Sequence, residues 1–316
     1  MVGGRSGWDE ARLHGWLREH LPGVQLGGST RSHVHDAAVL PALGGLPALC
    51  CDRCEEGVHF TAQADPRAIG AKAAGRSLSD LAATAASPRG LLLALAAPKD
   101  YDEARLLACI EGLATFGASH GAPLVGGDLT ARPGCLSLVV TAFGEAPLDP
   151  PGRDRARPGQ RVLVTGPVGG SLLGRHMEIE PRIAAGRALH DAGVRAMMDV
   201  SDGLAVDLDR LARLSDVAIE LERIPVHSDA ELRATGTGLP ALEHALFDGE
   251  DHELIACADA AHLEQYFQDP SAAASSLVGT VHGPTVQRPA GLHLALPDWP
   301  AQAFDPQDPR AFIHGR

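Results

Sequence analysis

Short apolar runs that end at an aspartate recur along the chain, and they are the feature that most limits its fold. Six aspartates stand in this context, each beside small residues: Asp36, Asp52, Asp80, Asp128, Asp199 and Asp202. The runs alternate with helical patterns, which is typical of mixed α/β proteins. A single aspartate at such a position ordinarily caps a helix and meets its dipole. Six of them in one context also predict that the ends of these runs converge on one crevice.

Glycine and proline divide the chain into separate predicted elements. The predicted strands include Leu46–Cys51, Val58–Ala62, Leu91–Ala97, Leu136–Phe143, Arg161–Thr165, Ala196–Val200, Val217–Leu221 and Leu254–Cys257. The predicted helices include Pro66–Ala86, Asp102–His120, Glu180–Ala192 and Leu204–Leu214. Asp102 is the expected N-cap of its helix, and Gly121 is the expected stop.

A segment rich in proline, glycine and charge, Glu145–Gln160, predicts a domain boundary. The chain has 316 residues, which is enough for two domains. We therefore expect an N-terminal domain over residues 1–147 and a C-terminal α/β domain over residues 148–316, both of ordinary size.

The net charge of −13 excludes one broad class of partner. Contacts to phosphates of nucleic acid need Lys and Arg, so an acidic chain is a poor generic partner for nucleic acid. No apolar stretch is long enough to span a bilayer. The segment MVGGRSGWDEARLHGW also lacks the apolar core of a secretory signal. We expect a cytoplasmic protein without a nucleic-acid or membrane partner.

Clustered carboxylates limit the ligands that the predicted crevice can bind. Two like charges about 4 Å apart cost about 4 kcal/mol at an effective dielectric constant of about 20, and a polyphosphate is repelled as well. Mg²⁺ takes oxygen ligands and bridges carboxylates to phosphates, so a nucleotide at this crevice implies metal. The Walker A pattern does not occur in the chain, which excludes a P-loop, and no G-x-S-x-G elbow is present.

The segment CCDRCEEGVHF, Cys50 to Phe60, holds three of the chain's six cysteines. One interpretation is a zinc or redox pair at Cys51 and Cys54, although a structural zinc site needs a second ligand pair. The other interpretation is that the chemistry lies in Asp52 and His59. The remaining cysteines stand in apolar surroundings and are interpreted as small core residues: Cys109, Cys135 and Cys257.

Six segments of the chain together indicate its family. They are HDAAVL, CDRCEEGVHF, KAAGRSLSDLAATAASP, LVGGDLT, DVSDGLAVDL and DGEDHEL. In this order they resemble the motifs of the thiamine-monophosphate kinase family, which belongs to the aminoimidazole-ribonucleotide-synthetase (PurM-like) superfamily. The resemblance covers nearly the whole chain. It implies a two-domain PurM-like fold whose N-terminal domains pair across a homodimer.

The resemblance also implies an activity and a set of site residues. The activity is ATP-dependent phosphorylation of thiamine monophosphate to thiamine diphosphate with several Mg²⁺ ions and no covalent protein nucleophile. By position match, the metal ligands are Asp36, Asp52, Asp80, Asp128, Asp199, Asp202 and Cys51. The ATP contacts are Gly127, Asp128, Arg153 and Ser201. The thiamine-ester contacts are His59, Glu250 and Phe304. Arg153 also fits a solvated basic linker, and Phe304 also fits simple packing of the chain end.

The chain departs from the family pattern around the expected metal site. His35 replaces the first of two adjacent aspartates, Cys50 and Cys51 replace hydroxyl residues, Ser77 replaces an asparagine and Leu129 replaces a threonine. These changes remove oxygen or amide ligands, so we hypothesise a working but divergent kinase. Two alternatives stay open. One is another enzyme of the superfamily, and the other is a non-catalytic protein that binds a nucleotide or a thiamine phosphate.

Overall fold

The computed structural model describes residues 7–20, 24–26, 29–31, 42–297 and 302–305. His33, His35 and Asp36 lie outside these described residues. The described residues form two compact units. The first comprises the residues up to Leu81 together with Ser87–Glu145, and the second comprises Ala82–Ala86 together with the residues from Ala146 onward. The assignment of functional domains to residues 1–147 and 148–316 stays a prediction.

The first unit contains helices and a four-stranded sheet. Its elements are α1 (Glu10–His20), β1 (Val24–Leu26), β2 (Ser29–Arg31), β3 (Leu46–Glu55), α2 (Pro66–Ala83), β4 (Ser87–Ala97), α3 (Glu103–Ser119), β5 (Leu124–Ala131) and β6 (Ser137–Ala146). The sheet has the strand order β3-β6-β4-β5. Strand β4 pairs parallel with β5 and antiparallel with β6. Among the described strands, β3 and β5 are therefore the two edges of this sheet.

Alternating side chains place the helices on one face of this sheet. In β4, Leu91, Leu93 and Leu95 are buried, whereas Ala94 between them is exposed. Helices α2 and α3 cross at two glycines because a Cβ at Gly70 would lie 1.9 Å from a backbone carbonyl oxygen of α3. The predicted start of α3 is confirmed, since the Asp102 carboxylate accepts a hydrogen bond from the Ala104 amide at 2.9 Å.

Two local predictions in the first unit are wrong, and its strands β1, β2 and β5 were not predicted. Residues Val58–Ala62 form a turn with an isolated bridge and no strand, because Gly57 takes a left-handed φ of 83°. The helix predicted to Ala86 ends at Ala83, and Ala85 has a φ of 55° before β4 begins. Strand β5 was not predicted, because its Gly-Gly pair interrupts the apolar pattern.

The second unit is built on a seven-stranded mixed sheet. Its elements are β7 (Arg161–Val164), α4 (Ile183–Asp191), β8 (Ala196–Asp199), α5 (Leu204–Leu214), β9 (Ala218–Leu221), α6 (Ser228–Thr237), α7 (Ala241–Phe247), β10 (Leu254–Ala258), α8 (Ala260–Tyr266), β11 (Ser276–His282), β12 (Gly291–Leu294) and β13 (Gln302–Ala303). The strand order is β13-β12-β9-β11-β7-β10-β8. Val162 and Val164 belong to one apolar cluster and Leu163 to another, so this sheet is covered on both faces. The predicted mixed α/β class is confirmed.

Three loops of the second unit meet at one edge of its sheet. Strand β10 pairs antiparallel with both β7 and β8, so β7 and β8 end at the same side. The loops after β7 and after β8 therefore lie beside the segment that leads into β10. Within the described residues, no helix has the length and the apolar character needed to cross a membrane.

Candidate functional site

A cluster of one thiol and two carboxylates lies in the first unit, between β3 and α2. Cys50 and Asp52 are two residues apart on β3 and share a face, and Asp80 lies in α2. One ligand atom of each side chain lies within 4.8 Å of the others. Within the described part of the chain, the buried Oδ2 atom of Asp52 has no hydrogen-bond partner. An orphaned buried carboxylate oxygen beside a second carboxylate is a favourable place for a cation.

Cys50 is the member of this cluster that sequence reasoning left out of the ligand set. Its Sγ donates to the backbone carbonyl of Ser77 at 3.1 Å. Burial raises the pKa of the Cys50 thiol, and the charges of Asp80 and Asp52 raise this pKa further. The sulfur is therefore a neutral thiol in the free protein. The spacing of Cys50 and Asp52 by two residues in a strand was the signal that could have identified it.

The C-x-x-C pair does not form a site of its own. Strand β3 is continuous from Leu46 to Glu55, and its side chains alternate between two faces. Cys51 is exposed, whereas Cys54 is 1% exposed and faces the other way. Residues three apart in a strand have Cα atoms about 10 Å apart, too far for a disulfide. The Cys51 side chain also leaves the strand on the face opposite Asp52, so the described geometry does not support its predicted role as a metal ligand.

Asp128 is separated from the cluster that contains Asp52. It lies in β5, at the other edge of the sheet from β3, and its exposed carboxylate accepts a hydrogen bond from the Thr130 hydroxyl at 2.9 Å. Three strand spacings place the two edges about 14 Å apart. The structure therefore does not bring Asp128 and Asp52 to one ion within a single chain.

The neighbours of Asp128 have structural reasons for their identity. A Cβ at Gly127 would lie 1.9 Å from the carbonyl oxygen of Leu93, so β4 and β5 need glycine there. Leu129 pairs with Leu95 and is buried. The expectation that Leu129 removes an oxygen ligand beside Asp128 is wrong for this chain, because the two side chains lie on opposite faces of β5.

His59 lies in the turn after β3, and a backbone hydrogen bond fixes the tautomer of its neutral ring. Its Nδ1 atom accepts a hydrogen bond from the Glu55 amide at 3.1 Å. A backbone amide can only donate, so in the neutral ring the proton is on Nε2. The fully buried Lys72 donates to the His59 carbonyl at 2.7 Å and holds the turn from below. The half-buried imidazole thus carries its proton on Nε2, an atom that can donate to an acceptor such as a phosphate oxygen.

In the second unit, a buried aspartate organises the loop after β8. The Asp207 Oδ2 atom accepts hydrogen bonds from the amides of Ser201 at 3.0 Å and Asp202 at 2.9 Å. Arg210 bridges Asp207 and Asp202 at 2.7 Å and 2.9 Å. Burial raises the pKa of Asp207 to about 8, and the charges of Asp202 and Asp199 add to this shift. The predicted residues Asp199, Ser201 and Asp202 are therefore brought together at the end of β8.

The glycine-rich loop after β7 is occupied by carboxylates of the same chain. Asp251 accepts from the Gly169 amide at 2.9 Å and from Arg175 at 2.8 Å, and Asp248 accepts from the Gly170 amide at 3.0 Å. Burial raises the pKa of Asp251 to about 7, although Arg175 opposes this shift. The amides that could have cradled a phosphate in this loop are already used.

The segment that leads into β10 has a strained backbone. Glu250 and His252 both take left-handed φ angles, of 52° and 53°. The Glu250 carboxylate is buried and lies 3.1 Å from the Nδ1 atom of His176. His252 is 2% exposed, and its Nδ1 atom lies 3.6 Å from Asp199, beyond hydrogen-bonding range. The predicted substrate contact Glu250 thus lies in a strained turn whose His252 approaches the predicted metal ligand Asp199.

Two predicted site residues lie away from this end of the sheet. Arg153 is exposed, and its neighbour Gly152 bridges to Ala196 at the start of β8. Ser201 follows the other end of β8, so the two positions are about 16 Å apart along an extended chain. Phe304 is 6% exposed and stacks on Phe247 in the apolar cluster of the second unit, with ring centroids 6.3 Å apart. The described contacts of Phe304 are those of a packing residue.

The donor atoms of the first-unit cluster fit a divalent cation only in part. The two carboxylates suit Mg²⁺, and the orphaned Oδ2 atom of Asp52 needs a partner of this kind. The neutral sulfur of Cys50 does not suit such a hard ion. Asp52 and Asp80 can therefore hold Mg²⁺, with Cys50 as the mismatched member of the set.

Comparisons with known proteins show the family to which the chain is related. Residues 34–146 match the family "AIR synthase related protein, N-terminal domain". The thiamine-monophosphate kinase of Rhodopirellula baltica is 37% identical over 259 residues, which cover 78% of this chain and 80% of the relative. The solved structure described as "AaThiL complexed with AMPPCP and TMP" has a TM-score of 0.71 and 25% identity, and the match covers 82% of this chain and 87% of that one.

A second solved structure supports the PurM-like fold alone. The "Hydrogenase Maturation Protein HypE in complex with ATP" has a TM-score of 0.77 at 22% identity, over 98% of both chains. The identity and coverage of the curated relatives show that the chain is related to the thiamine-monophosphate kinases, whereas HypE shares the fold. The chain is an enzyme of the kinase class and belongs to the thiamine-monophosphate kinase family.

Proposed function

We propose that the chain transfers the γ-phosphoryl group of ATP to thiamine monophosphate, with Mg²⁺, and so makes thiamine diphosphate. The observation that carries the proposal is the Asp52–Asp80 pair with its orphaned buried oxygen, in a chain 37% identical to a thiamine-monophosphate kinase. The solved relative that is complexed with AMPPCP and TMP supports the same two substrates.

The residues of the chain would act mainly by positioning and by neutralising charge, which is what phosphoryl transfer requires. Bound Mg²⁺ would offset the repulsion between the carboxylates and the polyphosphate and stabilise charge on the transferred group. Asp52 and Asp80 would hold this ion. His59 would donate its Nε2–H to the phosphate of the thiamine ester. Asp207 would hold the amides of Ser201 and Asp202 in place without contacting either substrate.

The other site assignments remain proposals that follow the family's positions. For metal, these are Asp36, Asp128, Asp199 and Asp202. For ATP, they are Gly127, Arg153 and Ser201, and for the thiamine ester, Glu250 and Phe304. The N-terminal domain would carry ATP and metal. The expected cytoplasmic location and the absence of a nucleic-acid or membrane partner also stay predictions.

A homodimer is part of the proposal, and two features of the first unit support it. The first is an open face of its sheet, which we define by Leu49, Leu92, Ala94 and Val139, all exposed or half-buried. Leu49 alone is 70% exposed, and an apolar sheet face of this kind is usually covered. The second is the separation of Asp128 from Asp52, which a neighbouring copy could remedy by bringing its β5 edge beside β3.

The proposal is tested by product formation with the purified full chain. ATP and thiamine monophosphate are supplied with Mg²⁺ or Mn²⁺, and both ADP and thiamine diphosphate are measured. We expect both products, loss of both in Asp52→Asn, and normal amounts in Asp100→Asn, an exposed carboxylate of the same unit. Binding of either substrate by calorimetry without product under either metal would replace the kinase with a binding protein.

A further inference from the structure

We propose that Cys50, Asp52 and Asp80 form a mixed thiolate–carboxylate site that binds a thiophilic divalent cation of the Zn²⁺ and Co²⁺ class more tightly than Mg²⁺. The inference rests on the metal site of the proposed function but concerns which ion that site prefers. It is drawn from the side chains of this chain, because the sulfur comes from Cys50 and the family pattern has a hydroxyl at this position.

The distances suit a small tetrahedral ion. Zinc binds sulfur at about 2.3 Å and carboxylate oxygen at about 2.1 Å, which places two such ligand atoms about 3.6 Å apart. The ligand atoms of Cys50, Asp52 and Asp80 already lie within 4.8 Å of one another, so small side-chain rotations complete the site. Three protein ligands leave a fourth position open, which is the arrangement of catalytic zinc sites.

The surroundings of the sulfur also suit coordination. The Cys50 Sγ atom contacts two backbone carbonyls, of Ser77 at 3.1 Å and of Ala142 at 3.9 Å. Carbonyls accept the thiol proton but offer no cation to stabilise a thiolate. A thiophilic ion would supply that charge: the S–H bond breaks, a sulfur–metal bond forms and one proton leaves to solvent. Mg²⁺ bonds weakly to sulfur and would leave the thiol intact.

The orphaned oxygen is the second and independent observation. The Oδ2 atom of Asp52 is buried, and within the described residues it lacks a hydrogen bond, although a carboxylate oxygen of this side chain lies within 4.8 Å of the thiol and of Asp80. A buried carboxylate oxygen without a partner is costly, and a cation bound between it and the sulfur removes this cost. Cys50 is thus a ligand in this inference and more than a passive replacement for serine.

The test is a titration of the full chain with Co²⁺ under reducing, anaerobic conditions. Coordination of sulfur to Co²⁺ gives a near-ultraviolet charge-transfer band, which carboxylates alone do not give. We expect the band to saturate at one equivalent, to disappear when Zn²⁺ is added and to persist in excess Mg²⁺. In Cys50→Ser we expect no band and a Kd for Co²⁺ at least about tenfold higher. In Asp52→Asn we expect a weaker band, and thermal melts confirm that each variant is folded.

Cys51→Ser distinguishes the two adjacent sulfurs. The band should persist in this variant, because the Cys51 side chain lies on the opposite face of β3. Absence of the band in the unmodified chain, its survival in Cys50→Ser, or its loss in Cys51→Ser would each overturn the inference. A band without any kinase activity would keep this inference and refute the proposed function. Kinase activity with Mg²⁺ and no cobalt band would refute this inference and keep the proposed function.

Discussion

Asp52 and Asp128 lie on opposite edge strands of the four-stranded sheet, with β6 and β4 between them. Both aspartates are expected metal ligands by their positions in the family pattern. One chain cannot bring them to the same ion, because the two edges are about 14 Å apart. If both bind one ion, the second aspartate must come from another copy of the chain.

This relationship predicts complementation between two inactive variants. Asp52→Asn and Asp128→Asn should each abolish product formation as pure proteins. When the two are co-expressed and mix at random, half of the dimers contain one copy of each. One of the two sites in such a dimer is intact, so we expect about a quarter of the unmodified activity. Activity is measured as thiamine diphosphate formed per chain.

The matched control co-expresses Asp52→Asn with Asp80→Asn. These residues belong to one cluster of a single chain, so each chain of a mixed dimer lacks one of the two carboxylates and neither cluster is intact. That pair should therefore stay inactive, unlike the Asp52 and Asp128 pair. Failure of the Asp52 and Asp128 variants to complement, with a light-scattering mass of one chain, would contradict the homodimer.

His59→Ala should weaken binding of the thiamine ester more than binding of ATP. The variant removes the Nε2–H donor whose tautomer the Glu55 amide fixes. A hydrogen bond from a neutral donor to a charged phosphate contributes about 1.5 kcal/mol or more, so the KM for thiamine monophosphate should rise about tenfold. Steady-state kinetics measure this rise. His120→Ala serves as the control in the same unit, and an equal effect on the KM for ATP would argue against the assignment.

Asp207→Ala should destabilise the second unit and slow turnover. The change leaves the amides of Ser201 and Asp202 without their acceptor and Arg210 without one of its carboxylates. We expect the free energy of unfolding to fall by about 3 kcal/mol. Asp207→Asn retains an acceptor oxygen and should cost less. Urea denaturation measures both, and the exposed Asp191→Ala should shift stability by no more than about 0.5 kcal/mol.

Asp251 should make the protein less stable as the pH rises from about 4 to about 7. The pKa of Asp251 is about 7 in the fold, against 3.8 in the unfolded chain, so the folded state keeps a proton that the unfolded state has lost. Unfolding then releases this proton, and the free energy of unfolding falls by roughly 1 kcal/mol per pH unit over that range.

Asp251→Asn should reduce this dependence on pH. Urea denaturation at several pH values from about 4 to about 7 compares the slopes, so a constant loss of the Arg175 ion pair does not affect the comparison. Part of the slope should remain, because Asp207 has a pKa of about 8. An identical slope in the variant would show that Asp251 releases its proton at the same pH in both states.

The sequence predicted much of the fold because the responsible signals are local. The Asp102 cap and the apolar strand Arg161–Thr165 were identified from neighbouring residues. Strand β5 was missed because glycine is required there by the close carbonyl of Leu93, a contact between strands distant in sequence. The turn at Gly57 was missed because Val58 and Phe60 have strand-like apolar character.

The site was predicted less completely, for a related reason. Strand alternation shows that Cys50 and Asp52 share a face, but it does not say which face meets α2. Asp207 was not expected to support Ser201, because a buried carboxylate that accepts two loop amides has no sequence pattern of its own. Phe304 was matched to the family by position, and only its packing on Phe247 reveals its surroundings.

The bonds from Gly169 to Asp251 and from Gly170 to Asp248 have a consequence for how the second unit responds to ligands. The side chains of Asp251 and Asp248 already accept from these amides, so the turn after β7 has its hydrogen bonds in place without a bound substrate. A phosphate could bind those amides only by displacing the side chains of Asp251 and Asp248, which belong to the same chain. The turn after β7 should therefore keep its conformation when substrate binds, and any rearrangement during turnover must occur elsewhere in the molecule.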